Sequence, residues 1–234
     1  MEEFLSNYYS SLTKGVEFTA ALVGILVYQK YKNTNVKYFI WLLIGIAILE
    51  LIGGYTIYAK IYDFEHLIKD TWYERNHWLY TIFWQIGASI GFAFYFRSFL
   101  KSQFFKKLIL IGVLLFVVGS IFVIASQFDL FFVASFKPIN ISSSLLIILS
   151  VTLYLIELLQ SDEILKFYSS INFIIATVLL IWNLITTPLI FYDIYFNRDD
   201  RDYIILKSSI MLFSNIFMYI TFTIALICCK PKNV

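Results

Sequence analysis

Seven apolar stretches, each close to the roughly 20 residues that a helix needs to cross a bilayer, fill almost all of this 234-residue chain. They leave no segment long enough for a soluble domain. With 60% hydrophobic and 15% charged residues, the composition is typical of a polytopic membrane protein. We therefore predict a single all-α transmembrane domain over residues 1–234, a seven-helix bundle in a lipid bilayer, and we expect it in a bacterial inner (plasma) membrane.

The stretches predict seven helices: Tyr8–Tyr28, Val36–Tyr58, His77–Leu100, Lys107–Ile124, Ile139–Leu159, Phe167–Phe191 and Tyr203–Cys228. Basic residues resist translocation, and 10 of the 18 lie on the side that holds the first and third loops. The N-terminus is therefore predicted outside and the C-terminus inside. The first six residues carry no basic cluster, so we expect the first helix to remain in the mature protein.

Three predicted outer connections have a distinct character. Asp63 is placed to cap a short interfacial helix between Phe64 and Trp72. The phenylalanine-rich run from Phe128 to Phe136 is too apolar for an exposed loop. Residues 197–202 form a charged turn whose three aspartates do not follow the calcium-loop pattern. Because most acidic residues fall on this side, we expect the outer face to attract cations.

Polar residues inside the predicted helices are the candidates for function, because hydrocarbon makes them costly. Glu17 and Glu50 lie at a similar depth, about 12 to 14 Å below the outer ends of their helices. Small residues on the same faces predict that they point into the bundle, where Lys207 is their expected partner. The candidate ligand-binding set is Glu17, Glu50, Trp84, Gln85, Trp182, Asn183, Lys207 and Asn215.

Two interpretations of this polar layer remain open. In one, the carboxyl and amide groups join the helices through hydrogen bonds. In the other, they line a cavity open to the outside that binds a small polar or cationic ligand, an ion or a proton. Trp84 and Trp182 either wall such a pocket or fill core, and Pro188 is either a hinge or a fixed kink in the sixth helix.

Several chemistries are disfavoured by the residues available. The only histidines, His66 and His77, belong to one outer connection, which argues against a bundle zinc enzyme. The middle of the last helix lacks the lysine that retinal requires, and no serine-nucleophile or phosphate-loop motif occurs. The adjacent Cys228 and Cys229 form no metal or redox motif. We therefore predict no catalytic residue, metal, cofactor or nucleic-acid partner.

The leading functional hypothesis is a non-enzymatic sensor or receptor-like module with an outward-facing polar pocket. Its inner loops are too short to hold an output domain, so we expect a separate membrane or cytoplasmic partner protein. The alternative is a small transporter or channel in which Glu17 and Glu50 handle a proton or cation. A third hypothesis, a lipid-acting enzyme with one of these acids as general base, lacks a nucleophile or metal.

Overall fold

The computed structural model describes residues 2–161, 167, 170–192 and 201–231, and every regular element in these ranges is a helix. The seven long helices are α1 (Glu2–Leu26), α2 (Val36–Ile61), α3 (His77–Arg97), α4 (Gln103–Ser126), α5 (Lys137–Leu159), α6 (Ile171–Tyr192) and α7 (Arg201–Cys228). Six of them, α2 to α7, are long and apolar enough to cross a membrane. This indicates an integral membrane protein, whereas a crossing by the less apolar α1 and the orientation of the termini stay predictions.

Local capping explains where two of the helices begin. α4 starts at Gln103, four residues before the predicted start, because the Ser102 hydroxyl accepts a hydrogen bond from the Phe105 amide at 3.4 Å. α5 starts at Lys137 with Pro138 in its first turn, where the missing amide hydrogen costs nothing. The sequence predicted the six apolar helices α2 to α7, but it missed the starts of α4 and α5 by four and two residues.

The bundle is organised around α5 and α7. α7 packs against α1 and α6, whereas α5 packs against α3, α4 and α6, and α2 joins α1 to α3. α4 is peripheral, since only 22% of its apolar window is buried. We call the end that carries connections 62–76 and 127–136 the upper end and the opposite end the lower end. The upper end is the predicted outer side.

An aromatic layer fills the lower part of the bundle. It consists of Phe39 on α2, Phe92 and Tyr95 on α3 and Phe222 on α7, all buried. The ring centroids of Phe39 and Phe222 lie 5.0 Å apart in an edge-to-face arrangement, which is favourable for aromatic pairs. The Tyr95 hydroxyl donates to Asn172 Oδ1 at 2.8 Å, so a hydrogen bond joins the aromatic layer to α6.

Two side chains of the short helix Tyr28–Tyr31, which follows α1, donate hydrogen bonds to backbone carbonyls at the lower end of α7. Lys30 Nζ donates to the carbonyl oxygens of Leu226 and Ile227, at 3.1 and 2.8 Å. The Tyr31 hydroxyl donates to the carbonyls of Leu226 and Cys229. The last carbonyls of a helix lack intrahelical partners and carry negative partial charge, so these bonds stabilise the contact between α1 and α7.

Three helices depart from regular α geometry in the upper half. α3 is a π-helix from Tyr80 to Ala88, α2 consists of two segments, Val36–Gly53 and Tyr55–Ile61, and α6 contains Pro188. π-helical segments are rare and are frequently found at functional sites. The irregular backbone therefore directs attention to the upper half of the bundle.

The upper connections pack on each other through aromatic side chains. Trp72 lies 5.6 Å from Phe128 and 4.8 Å from Phe132 between ring centroids, and Phe131 and Phe136 are buried. The predicted interfacial helix after Asp63 is only a 3-10 turn, Glu65–Leu67, without a side-chain cap. Most of the predicted charged turn at 197–202 lies outside the described residues.

Candidate ligand-binding cavity

A cavity of about 520 Å³ lies in the upper half between α2, α3, α5, α6 and α7. Its walls include exposed residues of the upper connections, Arg75 and Val133, together with exposed Lys137 at the start of α5. The cavity therefore opens at the upper end. Its volume falls within the roughly 300–1,000 Å³ typical of small-molecule sites.

The inner part of the cavity is apolar. Leu43 of α2, Phe92 of α3, and Met218 and Phe222 of α7 contribute to its walls there. Phe92 and Phe222 also belong to the aromatic layer, which separates the cavity from the lower end. An apolar interior with a few polar groups is the usual composition of a ligand pocket.

Polar side chains converge on this cavity from three helices. Gln85 comes from α3, Asn140 from α5 and Asn183 from α6. In the described part of the chain, Gln85 Oε1, Asn140 Oδ1 and Asn183 Oδ1 are all buried acceptors without a hydrogen-bond partner. An unsatisfied buried acceptor costs about 1–3 kcal/mol, so these three oxygens favour a group that brings N–H or O–H donors.

Asn183 is the clearest example of a buried acceptor without a hydrogen-bond partner. It is fully buried at 0% exposure, and its Nδ2 donates to the Leu179 carbonyl at 2.8 Å. That bond fixes the amide orientation, because only the nitrogen can donate to a carbonyl. Oδ1 is therefore held as an acceptor, but it is covered by neighbouring atoms, because Asn183 has no exposed surface.

Two tryptophans form aromatic walls. Trp182 on α6 donates from Nε1 to Asn215 Oδ1 on α7 at 2.8 Å, which fixes the indole. Trp84 and Gln85 both lie within the π-helical segment of α3 and both line the cavity. The unusual backbone thus presents two neighbouring side chains to the same space.

The mouth of the cavity is basic. Arg75, His77, Lys137 and Lys207 belong to its walls, and no described aspartate or glutamate does. Arg75 Nη1 donates to the Val133 carbonyl at 3.2 Å and so joins the two upper connections. We expected the outer face to attract cations because most acidic residues fall on it, and Glu17 and Glu50 to line the pocket because of their depth. The described walls carry basic residues instead, of which only Lys207 was in the predicted set.

Glu17 and Glu50 lie beside the cavity and not in its walls. The Tyr80 hydroxyl donates to Glu50 Oε2 at 3.1 Å. Glu17 is 7% exposed and faces Tyr219, a residue of the cavity wall. We expected Lys207 to pair with one of these acids. The acids have other neighbours, and the lysine with an electrostatic effect on Glu17 is Lys14, one turn away on α1.

Five of the eight predicted ligand-binding residues line the cavity: Trp84, Gln85, Trp182, Asn183 and Lys207. Asn215 contributes indirectly by holding Trp182. Glu17 faces Tyr219 of the wall, whereas Glu50 accepts a hydrogen bond from Tyr80, which is not among the wall residues. Sequence reasoning missed the contribution of α5. The signal was present, because Asn140, Ser143, Ser144 and Ile147 recur at helical spacing and all four line the cavity.

A second cavity of about 350 Å³ lies at the lower end. Asn172, Lys101 and Glu157 are among its walls. The Glu157 carboxylate accepts hydrogen bonds from the backbone amides of Lys101 and Ser102, the latter at 3.1 Å. Asn172 also accepts from Tyr95, so the aromatic layer lies between the upper and lower cavities.

Within the described ranges, no three His, Cys, Asp or Glu side chains are grouped so that they could hold a metal ion. The chain matches no protein family, no curated protein and no solved structure. The function is therefore inferred from the geometry of the cavity.

Proposed function

We propose that this protein is a non-enzymatic, receptor-like membrane module that binds a small polar molecule in the upper cavity. The observation that carries the proposal is the convergence of Gln85, Asn140 and Asn183, from three helices, on one cavity with their acceptor oxygens unpartnered. If these amides only joined the helices, their oxygens would be expected to meet donors on neighbouring helices. Trp84 and Trp182 supply flat apolar surfaces for the body of a ligand.

The positions of the acids favour binding over catalysis. A lipid-acting enzyme would use Glu17 or Glu50 as general base, and a general base must come within hydrogen-bond reach of the proton that it removes. Both side chains lie outside the walls of the upper cavity. This arrangement weakens the enzymatic hypothesis and leaves the cavity as a binding site.

Irregular helices next to the cavity offer a way to transmit binding. Gln85 belongs to the π-helical segment of α3, and Thr186 and Leu189 of the cavity wall flank Pro188 on α6. A ligand that binds one backbone arrangement of these segments better than another shifts the equilibrium between them. The lower parts of α3 and α6 would then carry the change to a separate partner protein at the lower end.

A second candidate function is a small transporter, favoured by the lower cavity. Transporters that work by alternating access hold a central site between two gates. Here the aromatic layer, with the bond between Tyr95 and Asn172, would be the closed lower gate. Glu17, which faces Tyr219 of the cavity wall, would be the group that takes up a coupled proton or cation.

Binding is tested by filling the cavity from α5. Ser144 is buried in the cavity wall, whereas Ser142, on the same helix, is exposed on its outer face. Thermal unfolding in lipid nanodiscs is measured with a panel of amino acids, amines, organic acids and nucleosides. We expect at least one compound to stabilise the wild type and Ser142→Phe, by about 2.7 kcal/mol at 100 times its Kd, but not Ser144→Phe.

Two results would overturn the proposal. One is a panel in which nothing stabilises the wild type, and the other is equal stabilisation of Ser144→Phe, which would place binding elsewhere. Flux of the stabilising compound into proteoliposomes separates the two candidate functions. A receptor binds without flux, whereas a transporter moves the compound across the bilayer.

A further inference from the structure

We propose that Glu17 and Glu50 form a proton-binding site between α1, α2 and α7, in which Glu17 carries the proton, and that the Tyr219 hydroxyl joins this site to the wall of the upper cavity. The inference does not rest on a cavity ligand, because a proton can bind here whether or not the cavity is occupied. For the transporter candidate, it names a proton, and not a metal cation, as the ion that Glu17 takes up.

Glu17 is buried without a base that neutralises it. The side chain is 7% exposed, and its Oε2 is covered by neighbouring atoms and has no hydrogen-bond partner. Lys14, one turn earlier on α1, has a weaker electrostatic effect on Glu17 than Glu50 has. Burial of an ionised carboxylate that is not paired is costly, so the neutral, protonated form of Glu17 is favoured.

Glu50 adds to this preference. α1 packs against α2, and Glu50 is close enough to Glu17 to act on it as a like charge. Two neighbouring carboxyl groups resist ionisation of both, so the pair retains one proton. Glu50 is half-buried and accepts a hydrogen bond from Tyr80 at 3.1 Å, which stabilises its ionised form. The proton therefore belongs on Glu17, the more buried acid.

A buried hydroxyl from a third helix points to the same site. Tyr219 on α7 is 2% exposed. Its hydroxyl adjoins the Glu17 carboxyl but forms no well-aligned hydrogen bond with any described group. Thr13 Oγ1, one turn before Glu17 on the same helix face, is also covered and unpartnered. A protonated carboxyl gains an O–H donor, for which both hydroxyl oxygens are acceptors.

The lack of space around these oxygens favours a proton over a metal ion. Glu17 Oε2, Thr13 Oγ1 and Tyr219 Oη are each covered by neighbouring atoms. A hard metal cation needs several oxygen ligands arranged around a space of its own, whereas a proton needs no such space. The small exposed fraction of Glu17 and the half-buried Glu50 allow the proton to exchange.

Tyr219 connects the proton to the cavity, because it is also a residue of the cavity wall. If Glu17 loses its proton, the carboxylate attracts the hydroxyl more strongly, since hydrogen bonds to charged acceptors are stronger. The position of Tyr219 then depends on the proton. By linkage, a change in the wall also changes the affinity for the proton.

Infrared spectroscopy detects the proton directly, because a protonated carboxyl group has a C=O stretching band that a carboxylate lacks. The protein is measured in dodecyl maltoside, a detergent without a carbonyl group, in sodium buffer across a pH titration. We expect the wild-type spectrum minus that of Glu17→Gln to contain this band at neutral pH, where an ordinary glutamate is ionised.

Glu157→Gln is the matched control. The Glu157 carboxylate accepts hydrogen bonds from the backbone amides of Lys101 and Ser102, which stabilise its ionised form. The wild-type spectrum minus that of Glu157→Gln should therefore lack the band at neutral pH.

Two more variants test the neighbours of Glu17. Glu50→Gln removes the nearby like charge, so the band should disappear at a lower pH than in the wild type. Tyr219→Phe keeps the ring but removes the hydroxyl, and the band should move to higher wavenumber because the acid loses a hydrogen-bond partner. An unmoved band in Tyr219→Phe would refute the connection to the cavity.

The pH dependence of unfolding provides a second measurement. The folded protein holds a proton on Glu17 that the unfolded chain releases at neutral pH, so raising the pH favours unfolding. Between neutral pH and the pH at which the band disappears, the unfolding equilibrium constant of the wild type should rise about tenfold per pH unit relative to that of Glu17→Gln. Glu17→Gln resembles the protonated acid in shape and charge and is expected to fold.

The outcomes are distinct from those of the compound panel. Absence of the band at neutral pH, or equal pH dependence of unfolding in the wild type and Glu17→Gln, would refute the proton site. A band that appears only when sodium is replaced by N-methylglucamine would assign a metal ion to the site and would also refute it. The expected band, without any cavity compound present, supports the proton site even if no compound stabilises the protein and the proposed function fails.

Discussion

Replacing Asn183 by Leu should leave the stability of the ligand-free protein almost unchanged, whereas replacing Asn215 by Leu should lower it. Both are asparagines on helices that line the upper cavity, but their oxygens differ. Asn215 Oδ1 accepts from Trp182 Nε1 at 2.8 Å across two helices. Asn183 Oδ1 has no partner in the described chain, and its amide nitrogen bonds only within its own helix.

The expected magnitudes follow from these bonds. Loss of Asn215 removes an interhelical hydrogen bond and leaves an indole N–H unpaired, at a cost of about 1–2 kcal/mol. Loss of Asn183 removes a bond to the Leu179 carbonyl, an acceptor inside a continuous helix, and deletes an unsatisfied buried acceptor. These two effects oppose each other, so the free energy of unfolding should change by less than ~0.5 kcal/mol.

The assay is the free energy of unfolding in bicelles, followed by the same measurement with a stabilising compound. Asn183→Leu should unfold like the wild type without the compound and should lose most of the stabilisation that the compound gives. If Asn183→Leu instead costs as much as Asn215→Leu, the amide of Asn183 joins helices, and the reasoning that assigns its oxygen to a ligand is refuted.

Further substitutions test the packing and hydrogen bonds of the bundle. A Cβ on Gly53 would lie 2.7 Å from the Tyr80 hydroxyl, so Gly53→Ala should displace that ring and lower thermal stability. Gly45→Ala on the same helix meets nothing within 4 Å and should be neutral or stabilising in the same melt. Glu157→Ala removes the acceptor for two backbone amides at residues 101 and 102 and should speed their hydrogen exchange; unchanged protection would contradict the bond. Lys30→Met should weaken the lower end of α7 by about 1 kcal/mol, seen as faster exchange in its last turn and not in its first.

Much of the fold could be predicted from hydropathy alone. Hydrocarbon forces every spanning segment to satisfy its own backbone, and an α-helix does so within one segment, so apolar length was enough to place α2 to α7. Sequence could not predict the π-helical segment of α3. Its residues, Tyr80 to Ala88, have no distinctive pattern that separates them from an ordinary apolar helix.

Part of the candidate site could also be predicted from the sequence. Gln85 and Asn183 stood out because a polar group inside an apolar helix is costly. Trp84 and Trp182 stood out because they are next to these two amides in the sequence. Glu17 and Glu50 were predicted to line the cavity for the same reason, but depth does not determine the direction in which a side chain points around the helix axis. Glu50 turns toward Tyr80, whereas Lys137, at a helix end where a base is inexpensive, received no attention and lines the mouth.

The proposed function requires that water or a ligand reaches Asn183 Oδ1 and Gln85 Oε1, both of which are covered in this structure. High-resolution cryo-electron microscopy of the protein in nanodiscs, with an antibody fragment for size, tests it most directly. We expect ordered density within hydrogen-bond distance of both oxygens and an opening between Arg75 and Lys137. Side chains packed against each other with these two oxygens bonded to neighbouring helices, and no space between them, would contradict it.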